Sequence, residues 1–211
     1  MTSTGEPNLP ALRHKAVRLE YFTVGWNVIE AVVALVAGVM ASSIALVGFG
    51  LDSVVETASG VALLWRFKQS SLDEATAESR ALKLVGLTFF ALAAYVGFEA
   101  ASDLWFRRPP DFSLLGLVLA AVSLVVMPVL GVAKRRLARE LKSRALAADS
   151  QETLFCSYLS ATLLLGITLN GLFDWWWADP VAALLIAVLM VREGREAFEA
   201  KGEGEREGTG E

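Results

Sequence analysis

Between Leu19 and Trp65 the chain places only four charged residues, Glu20, Glu30, Asp52 and Glu56. The rest of that stretch is apolar, and it is about twice as long as the ~20 residues that one bilayer-crossing helix needs. A water-soluble domain has no means of burying so continuous an apolar run, whereas a pair of membrane helices exposes it to lipid. The remainder of the chain repeats the pattern. Of 211 residues, 55% are hydrophobic and only 20% charged, which is more apolar than an ordinary soluble domain. The expected fold class is therefore all-α, a polytopic membrane bundle, with no room for a sizeable soluble domain. The single cysteine, Cys156, excludes an internal disulfide and the paired-cysteine patterns of zinc ribbons and redox motifs.

Six spans are expected, at approximately 19–40, 44–65, 82–106, 112–133, 146–170 and 175–191. The first two turn near Ala41, Ser42 and Ser43. The third stops at Arg107, Arg108, Pro109 and Pro110, where paired prolines cannot continue a helix. The fourth is closed by Lys134, Arg135 and Arg136. The sixth starts with Trp175, Trp176 and Trp177 in the interfacial aromatic belt and ends with Arg192 and Arg195 reaching for the opposite surface. These spans make a membrane domain over 19–192. An N-terminal segment, 1–18, precedes it; the first apolar block is too long for a signal-peptide core, so no cleavage is expected. The Gly- and Glu-rich tail, 193–211, reads as a helix extension fading into disorder.

Orientation follows from the bases. With six spans, every one of the 19 Lys and Arg residues except Arg107 and Arg108 falls on the side of the termini. Lys and Arg are retained on the cytoplasmic side, so both termini are expected there, in a bacterial-type inner or plasma membrane. The basic run from Lys134 to Arg144 reads as a topology and lipid-headgroup determinant. The bilayer is thus an expected partner, and nucleic acid is not.

An acid within the hydrocarbon region is costly and marks a functional site by default. Here such acids cluster. Asp52 and Glu56 are four apart on the second helix, so they project from one face; Glu152 and Cys156 repeat the spacing on the fifth. At ~1.5 Å of rise per residue, Glu56 and Cys156 both come out ~15 Å from the cytoplasmic boundary, and Glu30 of the first helix at a similar depth. No Lys or Arg lies between Arg18 and Arg66, or between Arg144 and Arg192. The expected interior therefore holds acids with no basic counter-ion, neutralised by protons or by a visiting cation. Hydrogen bonding to Ser53 for the Asp52 and Glu56 pair, an Asn27 partner for Glu30, and a purely packing role for Cys156 stay open on the sequence alone.

The segments Ser43-Ile44-Ala45-Leu46 through Asp52, and Ser143-Arg144-Ala145-Leu146 through Asp149 and Glu152, resemble the helix 2 and helix 5 motifs of the cation diffusion facilitator (cation efflux) family. The start of helix 6, Ala178-Asp179-Pro180, and its basic finish also follow that family's pattern. The resemblance implies six helices, cytoplasmic termini and a divalent-metal site between helices 2 and 5. The chain departs from the family at three ligand positions. Gly48 stands where the first helix 2 aspartate is expected, and Glu152 and Cys156 stand at the helix 5 His and Asp positions. The family's large cytoplasmic domain does not fit after helix 6, which reads as a divergent, minimal member. Relatives are commonly dimers, so a homodimer remains an open partner.

The expected site is then Asp52, Glu56, Glu152 and Cys156 as metal ligands, with Glu30 and Asp149 as nearby proton acceptors or supports for the ligands. Asp149 alternatively caps the start of helix 5. No prosthetic group is expected, because the ion is cargo. A thiolate favours Zn2+, Cd2+ or Fe2+ over Mg2+ or Ca2+, while carboxylates also suit Mn2+ and Co2+. Zn2+ is the leading expectation, moved outward by proton antiport. The alternative function is a metal-binding scaffold or sensor of the same fold that does not transport. No serine-histidine pair or HExxH sequence supports an enzyme.

Overall fold

The computed structural model describes the backbone of residues 9–68 and 74–208, with side chains except at 66–68, 74–86, 144 and 197–208. Residues 1–8 of the expected N-terminal segment and 209–211 of the tail lie outside the described residues. Six helices follow one another: α1 (Leu9–Ala41), α2 (Ile44–Lys68), α3 (Glu74–Phe106), α4 (Leu114–Leu141), α5 (Arg144–Phe173) and α6 (Ala178–Gly208). The fold is all-α. α1 to α5 are each long and apolar enough to cross a membrane, and α6 falls short because Asp179 and the charges from Arg192 onward flank a brief apolar centre.

Two of the links are only two residues long, and both use one device. Ser42 and Lys142 take φ of 51° and 50°, the left-handed conformation that ends a helix. The serine that follows then caps the next helix. Ser43 Oγ accepts from the Leu46 N–H at 3.2 Å, and Ser143 Oγ from the Leu146 N–H at 3.3 Å. The repeated S-x-A-L segment is thus a helix-start signal in both places. Ser43 also donates to the buried carboxylate of Asp179, which reaches the Ala45 N–H at 3.4 Å and so joins the start of α6 to the start of α2.

The basic run at Lys134 does not close α4. Lys, Arg, Leu and Ala are good helix formers, and the helix continues to Leu141. Pro128 lies inside α4, where it removes one backbone hydrogen bond. α6 likewise stays helical to Gly208, further than its composition suggests.

Polarity is arranged for lipid. Val28, Val32, Val36 and Val39 of α1, and Val118, Val122, Val125 and Val129 of α4, make exposed apolar stripes at helical spacing. The opposite stripe of α1 buries Glu20, Thr23, Asn27 and Glu30 one above another, followed by Ala34, Ala37 and Ala41. α2 is the central helix: 61% of its spanning residues are buried, against 22% in α3, and it packs on α1, α3, α5 and α6. Gly50 permits a close approach to α1, since a Cβ there would lie 2.9 Å from Leu35 Cγ and 3.0 Å from the Leu35 backbone nitrogen. Gly50→Val is expected to destabilise the bundle by ~1–3 kcal/mol through overpacking, read as a lowered Tm of the detergent-solubilised protein. An unchanged Tm would show that the contact between α1 and α2 is looser than described.

Candidate metal centre

The central crossing of α2 and α5 gathers three of the four expected ligands. Asp52, Glu56 and Cys156 each offer one ligand atom, all within 4.8 Å of one another. Their exposures are 3%, 4% and 0%. Helical geometry accounts for the meeting: Asp52 and Glu56 lie one turn apart on the face of α2 that packs against α5. Ligands that bind a first-row ion at about 2.0–2.3 Å stand about 3.5 Å apart in a tetrahedral shell, so rotamer-scale adjustment would close the triad. Neither oxygen of Glu56 has a hydrogen-bond partner, although Asn27 and Thr153 stand beside it. An ionised carboxylate without partners in a dry interior is strongly unfavourable; a proton or a cation relieves it.

Glu30 lies closer to this triad than its expected supporting role suggested. From α1 its carboxylate accepts from Ser53 at 3.0 Å, from Ser123 of α4, and from the Cys156 thiol at 3.8 Å. It thus touches three helices and one triad member. Asn27, one of the partners the sequence left open for it, does not hold it. Neither Ser53 nor Ser123 was part of the expected site; the only sequence signal was a small hydroxyl residue in each of two apolar spans.

Glu152 stands outside the 4.8 Å group. It lies one turn from Cys156 on α5, half-buried, with Asp149, Glu56 and Glu193 as the acids around it and with Oε2 unpartnered. Glu193, just beyond the expected sixth span, is a further acid near the site that sequence reading assigned to the tail. Burial and the neighbouring Glu196 push its carboxyl up to about 7. Gly48 also acquires a reason. A Cβ there would point at Val96 and Ile186, at 3.2 Å and 3.6 Å, so α3 and α6 occupy the direction a longer side chain would take.

Two readings are corrected. The interior does contain a base: Lys134 is 1% exposed and pairs with Asp149 Oδ2 at 2.6 Å and Glu20 Oε2 at 3.0 Å. It escaped notice because a lysine at the edge of an apolar block reads as the block's boundary. Since α4 runs on past it, its position on the helix turns it inward. Asp149 is not the cap of α5 either, because the helix already starts at Arg144 with Ser143 as its cap; Asp149 is the counter-ion of Lys134. Ser123→Ala and Ser53→Ala each strip a donor from the buried Glu30 and are expected to cost ~1–3 kcal/mol. Thermal unfolding of the two variants checks this, and no shift in either would mean that Glu30 is satisfied in another way.

Known proteins resemble the chain over most of its length. The family described as the cation efflux transmembrane domain matches residues 22–201. Transmembrane protein 163 of Xenopus laevis is 25% identical over 184 residues, covering 86% of this chain and 66% of that protein. The cation-efflux pump FieF of Shewanella oneidensis is 27% identical over 134 residues, 64% of this chain and 42% of the pump. The manganese efflux system protein MneS of Bacillus subtilis is 25% identical over 174 residues, 79% of this chain and 60% of MneS. The chain therefore spans about two fifths to two thirds of the length of these relatives. Because the matched domain takes in nearly the whole bundle, including the crossing of α2 and α5, the chain belongs to the cation diffusion facilitator, or cation efflux, family.

Proposed function

We propose that the protein carries a divalent transition-metal ion across the membrane, outward from the cytoplasm, in exchange for protons. The observation that carries this reading is the buried triad of two carboxylates and one thiol, in which Glu56 lacks any hydrogen-bond partner. Zn2+ is the leading cargo, because a thiolate beside carboxylates suits a borderline-soft ion. Fe2+, Mn2+, Cd2+ and Co2+ are the competitors, and the relative named as a manganese efflux protein keeps Mn2+ among them. Glu152 and Glu193 extend the acidic surface toward the face where α1 begins and α6 ends. The distribution of Lys and Arg supports placing that face in the cytoplasm, with the membrane a bacterial inner or plasma membrane.

Proton exchange follows from charge. Two carboxylates and a thiolate over-neutralise a 2+ ion, so a proton is expected to return as the ion leaves. The ligands must be deprotonated to bind, so affinity is present at neutral pH and falls on acidification. Zn2+ uptake into proteoliposomes is expected to require an opposing pH gradient, and Asp52→Ala together with Cys156→Ala should abolish it. Uptake that survives the double substitution removes the mechanism. Cd2+ added to the purified protein should give an ultraviolet thiolate-to-metal absorption band that Cys156→Ser eliminates; its absence places the thiol outside the ligand set.

Gly48 favours a second reading, a metal-binding scaffold or sensor without flux, since α2 lacks the first carboxylate of its family. Stoichiometric Zn2+ binding with no uptake under any gradient would select it.

A further inference from the structure

Lys134 is the one buried base among the described residues, and metal binding at the triad gives it no task. Its ammonium lies 2.6 Å from Asp149 of α5 and 3.0 Å from Glu20 of α1, and it donates to Thr153 at 3.2 Å. One charge on α4 thereby ties α1 to α5. The remaining carboxylate oxygens, Glu20 Oε1 and Asp149 Oδ1, are buried and have no hydrogen-bond partner. Gly60 of α2 makes room for this arrangement, because a Cβ there would sit 2.5 Å from Glu20 Oε1.

The location of this cluster gives it a consequence. Glu20 lies toward the start of α1 from Glu30, Asp149 toward the start of α5 from Cys156, and Lys134 toward the end of α4 from Ser123. The cluster therefore separates the triad from the face that carries the start of α1 and the end of α6. About one turn further out, Ala16, Leu63, Ala138 and Leu146 close into a separate buried apolar layer. An ion travelling between that face and the triad meets the apolar layer and then the clamped ammonium.

We propose that Lys134 is the gate on this side of the triad. Its ammonium stands in for a divalent cation at Glu20 and Asp149, and when it withdraws those two carboxylates become a way-station for the passing ion. Two facing carboxylates already hold a cation here, and they are placed one step along the path from Glu56. Breaking a buried ion pair is costly, so the closed arrangement dominates until α1 parts from α4 and α5. The identity of the traffic rests on the transport reading, whereas the closure depends only on these three helices.

Cys156, the single cysteine, reports access without any metal. A charged, membrane-impermeant thiol reagent is applied to each face of oriented proteoliposomes in the presence of a chelator. In Lys134→Met, labelling from the face with the start of α1 is expected to rise about tenfold or more, and labelling from the opposite face to fall, because a population shifts between two states. If Lys134→Met fails to fold, the neutral set Glu20→Gln, Lys134→Met and Asp149→Asn leaves no unpaired buried charge and should show the same one-sided rise. Unchanged labelling in the folded neutral variant, or an equal rise from both faces, overturns the gate. Absence of Zn2+ uptake by the unsubstituted protein, alongside a one-sided labelling change in the variant, would count against the transport reading and leave the gate standing.

Discussion

The bundle is organised around the cost of holding carboxylates away from water. Among the described residues, Glu20, Glu30, Asp52, Glu56, Asp149 and Asp179 are buried, with Lys134 as their only buried base. Burial of an ionised group without a partner is so unfavourable that each acid needs its own solution. Lys134 serves Glu20 and Asp149; Ser43 and the first turn of α2 serve Asp179; Ser53 and Ser123 serve Glu30. Asp52 and Glu56 are left beside Cys156, and neither oxygen of Glu56 is within hydrogen-bond geometry of a donor, although Asn27 and Thr153 are its neighbours. The triad is the place where two buried carboxylates meet with no base paired to either.

The family departures acquire a geometric sense in this setting. With Gly48 facing Val96 and Ile186, the acidic face of α2 starts at Asp52 and continues to Glu56. The centre of the triad is displaced about one turn along α2 relative to the family motif, and Cys156 rather than Glu152 is the α5 residue at that level. Glu30 fills the space on the α1 side with a third carboxylate. A different set of donors thus occupies the same crossing of helices.

Much of this was legible in the residues. Apolar block lengths located six helices, the turn at Ser42 and Ser43 was marked, and four-residue spacings identified the faces of α2 and α5 that meet, whereas the capping role of Ser143 was not read and Asp149 stood in its place. Membrane helices reveal themselves in this way because lipid demands a continuous apolar surface and punishes each internal charge. Lys134 was not legible, because sequence shows that a charge borders an apolar block but not which way the helix turns beyond it. The hydroxyls that hold Glu30 were hidden for a related reason: a serine in an apolar run costs little, so its presence carries no signal until the opposite helix is in place. Glu152 illustrates the reverse error, since a correct four-residue spacing guarantees a shared face but not a shared depth.

The two-residue links have a mechanical consequence. With only Ser42 and Ser43 between α1 and α2, and only Lys142 and Ser143 between α4 and α5, and with both joints capped and hydrogen-bonded, neither connection has slack for its helices to separate. Each hairpin must travel as a stiff bracket. Rearrangement of the bundle is therefore confined to sliding at the seams between brackets, and the seam between α2 and α5 is the one that carries the two carboxylates and the thiol.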